Sequence, residues 1–446
     1  MSFLNVASSL RGCTQPLCWR QRALLQISSS FHSAAAPRFN FHLSPSSRPS
    51  TIPRRAGERR TPFDGTQRRG AARARAKPRD KPSLAIPDEW KTPGVELPPP
   101  SLWWKIFRFP EKRKRKTMLN EETARRLAEY YVPEGSKDKV IIEAFAGAGM
   151  LTRALLNLPR ERIKKIIVLE DQPSYLEWLQ PLKEFDDRVH IRSDDAFMWS
   201  SYTGIEQSGL LDDVEVMDWN DQVHPQLQYI AQIPNNVHGE QLIAQLCRAI
   251  PDRKWLFRYG RVPLDMITTL SMWERLSAGP VDYKARCKVS VMTQASVEIS
   301  VPFSGKELVP AVDHFYYPTA RPLGPFSTPK DGASEQLQQP LRLLPLEKPA
   351  IKPNSLDFWD YVLRNLFITK ATPLSKCISG LGPGAPSLLK KLVDPSSPTE
   401  WVDISKSPRM MSLEDWSKVV QAFEDWPFRP ENLSISNSFT MDNRRP

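Results

Sequence analysis

No Asp or Glu occurs before Glu58 in this chain of 446 residues. Cysteine is sparse as well: Cys13, Cys18, Cys247, Cys287 and Cys377 are odd in number, scattered, and form no Cys-x-x-Cys pair. That excludes a disulfide framework and a zinc ribbon, and six histidines complete no ligand pattern, so no metal is expected. Glycine is outnumbered by proline, 19 to 42, which points to long irregular stretches beside a core. No apolar run approaches the roughly 18 residues of a membrane helix, so a membrane is not among the expected partners.

Basic residues fill the acid-free start. Arg11, Arg20, Arg22, Arg38, Arg48, Arg54 and Arg55 are spread among serines, the composition of a mitochondrial presequence. A secretory signal is excluded, because Arg20 and Arg22 interrupt its apolar stretch. Residues 1–57 are therefore expected to be a presequence and the destination the mitochondrial matrix. The formal net charge is +12, but residues 1–82 alone carry 16 Lys and Arg against three acids. The remaining chain is close to neutral, so any nucleic-acid contact has to come from a local patch. Residues 58–111 are expected to be a disordered Pro/Arg-rich linker. SLWWKIFRFPEKRKRK spans its end and sets aromatics beside Lys112, Arg113, Lys114, Arg115 and Lys116, which can grip phosphate.

From residue 112 the pattern alternates. Asn120 is placed to cap NEETARRLAEYYV. KVIIEAF, KKIIVLE, RVHIRS and LQYIAQIP predict strands, and KWLFRYG a fifth. LTRALLNL, SYLEWLQPL, HGEQLIAQLCRAI and LDMITTLSMWERL predict the helices between them. CKVSVMTQ and SVEISVPF predict an antiparallel hairpin at the sheet edge. The core domain is placed at 112–302 and a Pro-rich linker or insertion at 303–353. A small all-α domain is expected over 354–428, then a tail over 429–446.

Strand ends carry the chemistry. In EAFAGAGMLT, Gly147 and Gly149 let the backbone turn sharply after a strand and approach a ligand. Glu170 ends the next strand, where a carboxylate can accept from both ribose hydroxyls. Asp195 follows the third strand, placed to accept from an adenine amino group.

At these residues the chain resembles the rRNA adenine N6,N6-dimethyltransferase family. EAFAGAGMLTRAL is similar to its E-x-G-x-G-x-G-x-L-T motif, and VLEDQP and SDDAF to the next two. QIPNNVHGEQL stands where that family has N-L-P-[YF], and FYYPTARP resembles its F-x-P-x-P region. The resemblance implies an α/β class I S-adenosylmethionine-dependent methyltransferase fold, Rossmann-like, with a helical C-terminal domain. It implies Glu143, Gly147, Gly149, Glu170 and Asp195 as cofactor-binding residues for S-adenosyl-L-methionine. It places the methyl-acceptor site at Gln232, Pro234 and Asn235.

Departures from the family pattern bear on activity. Phe145 replaces the first glycine, Gln172 an aspartate, and Lys116-Thr117-Met118-Leu119 stands where the family has Gln before an aromatic and Leu. Gln232 is one methylene longer than the family's Asn, and Asn235 has no ring to stack on a target base. A weakened or vestigial cofactor site with a degenerate acceptor motif resembles the mitochondrial transcription factor B branch. That branch implies a monomer assisting promoter melting by the single-subunit mitochondrial RNA polymerase and holding the melted DNA strand. Arg253, Lys254, Arg258 and Lys370 are further candidate nucleic-acid contacts. Two alternatives stay open: an active mitochondrial dimethyltransferase of small-subunit rRNA, and a nonenzymatic rRNA-binding assembly factor.

Overall fold

Four runs, KVIIEA, IKKIIVL, VHIR and LQYIAQ, become adjacent parallel strands: KVIIEA and LQYIAQ are buried on both faces, IKKIIVL over most of its length, and VHIR, at the sheet edge, buries only Val189. The structure, a computed structural model, describes residues 86–107, 115–317, 337–396 and 398–433. The expected presequence, most of the 58–111 linker, and the tail beyond residue 433 lie outside them. No described helix is long and apolar enough to cross a membrane.

The strands are β1 (Thr117–Met118), β2 (Lys139–Ala144), β3 (Ile163–Leu169), β4 (Val189–Arg192), β5 (Leu227–Gln232), β6 (Leu264–Thr269), β7 (Val297–Ser300), β8 (Phe315–Tyr316) and β9 (Gln338–Pro345). Seven of them form one sheet in the order β4-β3-β2-β5-β6-β9-β7. The first five run parallel, and β9 is antiparallel to both β6 and β7. β1 and β8 pair separately as a short antiparallel ribbon. This is the Rossmann-like sheet of class I methyltransferases, as the motifs imply.

Helices α2 (Glu121–Tyr131), α3 (Met150–Leu156) and α4 (Pro173–Phe185) cover one face, following the short α1 (Trp103–Ile106). Their Leu127, Leu155 and Leu179 pack on Ile141, Ile166 and Ile230. On the other face α5 (Trp199–Gln207), α6 (Val237–Ala249) and α7 (Leu270–Ser277) bring Ile205, Leu246 and Met272 against Ile142, Tyr229 and Met266. Successive residues of a strand point to opposite faces, so Ile141 and Ile142 serve different cores. Asn120 caps α2 as expected, accepting from Thr123 N at 2.9 Å.

Several expectations are corrected. KWLFRYG is not a strand: Trp255–Tyr259 is a 3-10 turn. Arg253 and Trp255 sit at φ +52° and +56°, outside extended backbone. The fifth strand is instead β6, whose six residues are all buried, and Thr269 closes it by capping α7. CKVSVMTQ folds as α8 (Lys288–Gln294), packed through Thr293 on Cys247 of α6. Only β7 of the expected hairpin is a strand, and its partner is β9. β9 comes from the 303–353 stretch expected to be a linker. Pro340 and Pro345 hide it, since proline in a run argues against an interior strand. Tertiary contacts hold it there: Gln339 Nε2 donates to Phe303 O at 2.9 Å, and Gly305 N donates to Gln339 Oε1 at 2.8 Å.

The end of the 58–111 segment is also not a linker. Trp103 and Phe107 are buried against Tyr175 and Trp178. Beyond β9, helices at Leu356–Leu366, Leu374–Cys377, Leu388–Leu392 and Leu413–Glu424 share a core around Leu363, Trp416 and Phe423. Val291 and Met292 of α8 reach into that core.

Candidate functional site

The parallel strands β2, β3 and β5 end side by side, which brings Glu143, Glu170 and Gln232 to one edge. From the end of β2 the chain turns through Phe145 (φ +59°), Gly147 (φ +64°) and Gly149 (φ +82°) into α3. The glycines are required by conformation, and a bulky residue at positive φ, as Phe145 is, is strained. The Phe145 ring packs on Phe197, centroids 4.7 Å apart.

Glu170 lies at the centre. One of its oxygens accepts from Gly147 N at 2.8 Å and the other from Gln172 N at 3.0 Å. Arg115 supplies the rest, Nη1 to Oε1 at 2.7 Å and Nη2 to Oε2. A carboxylate has about four lone-pair sites, and here four donors fill them. The guanidinium is 5% exposed and lies 5.4 Å from the ring centroids of both Phe145 and Tyr175. Burial works to lower its pKa, but the Glu170 charge and hydrogen bonds outweigh it and hold the group above its ordinary value. This corrects the reading of Arg115 as a nucleic-acid contact: it is a buried partner of Glu170.

Thr117 fills the ground beside Gly147. A Cβ on Gly147 would meet Thr117 Cγ2 at 2.2 Å, so the close approach the glycine permits is to this chain's own side chain. Thr117 Oγ1 in turn hydrogen-bonds Tyr175 Oη at 2.7 Å. Glu143 faces Thr152, whose hydroxyl donates to it at 2.8 Å, and burial pushes its carboxyl up to about 7. Asp195 is half-buried and its Oδ1 accepts from Phe197 N at 3.0 Å. The cofactor seat implied by the family resemblance would use the Glu170 oxygens and the open face of Gly147. Arg115 and Thr117 hold both, so the residues as placed do not fit that group.

At the end of β5 Gln232 is buried, and its Oε1 accepts from Met118 N at 3.1 Å. Since Met118 N–H can only donate, the amide orientation is settled, and Nε2 is left buried without a partner among the described residues. The Pro234 carbonyl accepts from Asn236 N at 2.9 Å, and Asn235 is half-buried.

Of the candidate nucleic-acid residues, only some are described and exposed. Lys112, Arg113 and Lys114 lie outside the described residues, and Lys116 is buried with its Nζ 5.0 Å over the Tyr317 ring. Arg253, Lys254 and Arg258 are exposed, but Lys254 pairs with Asp252 at 2.8 Å and Arg258 with Glu206 at 3.2 Å. Arg253 lies 5.3 Å over the Trp219 ring, and Lys370 is exposed on the helical C-terminal part. Sequence reasoning missed Thr117 and Tyr175. The only signal was that Thr117 falls in a tetrapeptide departing from the family pattern.

The sequence profile described as ribosomal RNA adenine dimethylase matches residues 114–410. Mitochondrial transcription factor 1 of Lachancea kluyveri is 26% identical over 270 residues, covering 60% of this chain and 76% of that protein. The protein of that name in Saccharomyces cerevisiae is 24% identical over 307 residues, 68% of this chain and 84% of its own length. Mitochondrial dimethyladenosine transferase 1 of Caenorhabditis elegans is 30% identical over 179 residues, 38% of this chain and 45% of that protein. Among solved structures, the 23S rRNA methyltransferase ErmE aligns with a TM-score of 0.41 at 14% identity, over 69% of this chain and 99% of that one.

Proposed function

This chain belongs to the ribosomal RNA adenine dimethylase family, and we propose that within it the protein is a mitochondrial transcription factor. In this reading it helps the single-subunit mitochondrial RNA polymerase melt promoter DNA and holds the melted strand. The observation that carries the reading is the orientation of Gln232. Methyl transfer to an adenine amino group needs oxygens that accept from N6–H and aim the nitrogen lone pair. The Gln232 oxygen is turned to Met118 N, and the group it has left over is a donor. An amino group there meets an added donor in Nε2, and the acceptors, Gln232 Oε1 and the Pro234 carbonyl, are each already engaged by a backbone N–H, while Asn235 offers no ring on which a base can stack. Stacking is worth about 1–3 kcal/mol per base, and a misplacement of an ångström costs on the order of a hundredfold in rate.

S-adenosylmethionine is then a weak or vestigial ligand, and no step of the function runs through it. The protein works as a monomer in the mitochondrial matrix, directed there by the basic, acid-free N-terminus. Its relatives named mitochondrial transcription factor 1, matched over three quarters or more of their length, support this reading. The second reading, an active dimethyltransferase of mitochondrial small-subunit rRNA, draws on the 30% identity to the Caenorhabditis elegans enzyme.

Two assays on the purified full chain separate the readings. Run-off transcription by the cognate polymerase should depend on this protein and be indifferent to added S-adenosylmethionine. Incubation with radiolabelled S-adenosylmethionine and undermethylated small-subunit rRNA should transfer no label. Label transfer without any effect on initiation would establish the second reading instead.

A further inference from the structure

Helix α6 buries one face and leaves another in an open trough. Leu242, Ile243, Leu246 and Cys247 pack into the sheet core. Val237, Glu240, Gln241, Ala244, Gln245 and Arg248 recur at the helical period and line a cavity of about 750 Å³. Trp199 and Trp255 line it from α5 and the turn before β6, and Val289, Met292 and Leu356 from α8 and the first C-terminal helix. The Trp255 wall is held in a strained backbone. Its φ is +56°, two residues after Arg253 at +52°, and its ring lies 4.4 Å from that of Tyr202 and 5.2 Å from that of Trp199. Strain of this kind persists only where the surroundings enforce it, and it gathers at ligand-holding sites.

The charges around the trough leave one cation over. Arg275 pairs with Glu240 at 2.6 Å, and Lys254 with Asp252 at 2.8 Å. Arg248 and Lys288 share one oxygen of the buried Asp360, Lys288 Nζ lying 2.6 Å from it. One carboxylate thus serves two cations whose side chains are 29% and 33% exposed, within reach of a group in the trough.

That balance decides what fits. From Val237 to Arg248 the floor is about 16 Å long at the helical rise. A nucleic-acid strand laid along it would bring about four or five phosphates to a single uncompensated cation. The indoles of Trp199 and Trp255 already meet edge-on, and Val237, Ala244, Val289 and Met292 present no ring on which a base can stack. A helix from a partner protein matches better. Apolar residues at i, i+3, i+4 and i+7 cover the aliphatic lining, and one carboxylate meets Arg248 and Lys288.

We propose that the trough on α6 docks an amphipathic helix of the cognate RNA polymerase, with an acidic residue of that helix set against Arg248 and Lys288. The proposal rests on the transcription-factor reading, which supplies the polymerase as partner.

Titrating the purified polymerase with the full chain tests this. Ala244→Trp, which fills the floor, and Val237→Glu should each weaken binding by at least about tenfold. Val237 is 67% exposed, so its substitution leaves the fold intact. Lys288→Gln keeps Asp360 paired with Arg248 but removes the spare charge, and should weaken binding about threefold or more while flattening its salt dependence. A single-stranded oligonucleotide should bind Ala244→Trp and Val237→Glu as it binds wild type. A benzophenone side chain placed at Val237 should cross-link to a helix of the polymerase. Unchanged polymerase affinity in Ala244→Trp and Val237→Glu, a loss confined to the oligonucleotide, or a cross-link to DNA alone would overturn the proposal, while run-off synthesis by wild type keeps the transcription reading standing. A wild type that neither binds the polymerase nor supports run-off synthesis would remove that reading and the proposal with it.

Discussion

Arg342 lies across from Asp265 in the β6–β9 ladder and reaches both of its carboxylate oxygens, Nε to Oδ1 at 2.7 Å and Nη2 to Oδ2 at 3.1 Å. Asp265 is fully buried, and Gln228 Nε2 donates to it at 2.5 Å. The same guanidinium donates to Tyr131 O at 2.8 Å, tying β9 to the end of α2. The pair thus links β6 to β9 and both to α2.

Arg342→Ala should be strongly destabilising, by about 3–5 kcal/mol, because it strands a buried carboxylate. Replacing both charges, as in Asp265→Asn/Arg342→Met, should lose less than the single change. Urea unfolding of the two variants measures this. A double variant weaker than Arg342→Ala would show that the pair contributes through packing rather than charge.

Glu143 gives a pH signature. Its folded carboxyl is raised to about 7 by burial, partly offset by the Thr152 hydrogen bond. A raised carboxyl favours the fold while protonated, so its contribution is fully present below about pH 4.5 and lost as pH rises towards 7. The total is at most about 3 kcal/mol at 1.36 kcal/mol per unit. Glu143→Gln keeps an acceptor for Thr152 and should be more stable than wild type at pH 8, the two converging near pH 5. A stability gap independent of pH would mean that Glu143 titrates as an exposed carboxylate does.

Gly149 is a packing position as much as a loop position. A Cβ there would meet Leu179 Cδ2 at 2.5 Å, at a φ of +82°. Gly149→Asp should cost about 1–3 kcal/mol of stability and lower the unfolding temperature. It is thus unsuited to removing a cofactor selectively. An unchanged melting temperature would show that the loop yields without cost.

The patch at Arg253, Lys254 and Arg258 is partly neutralised by Asp252 and Glu206. Binding to melted DNA should therefore be modest and its salt dependence shallow, with roughly 0.7 of slope per phosphate neutralised. Charge reversal at the three positions should flatten the slope further. It should also slow open-complex formation more on linear than on supercoiled templates, since supercoiling contributes to melting. Equal loss on both templates would indicate a polymerase contact, and no loss on either would remove the patch from the mechanism.

Local order alone determined the elements whose signals are local. The β-branched runs of β2, β3 and β5, the Asn120 cap, and the glycine turn after β2 depend on neighbours a few residues away. β9 carried no such signal, because Pro340 breaks its pattern and its place depends on Asp265, 77 positions earlier. Arg115 reads as one more charge in the run Lys112–Lys116 until Glu170, 55 positions on, takes it out of water. Gln232 reads as a lengthened asparagine, and only Met118 N, 114 positions away, decides which end of its amide is spent. Burial and pairing of a polar group are set by what the fold brings against it, so the composition of the strand ends was legible while their chemistry waited for the tertiary structure.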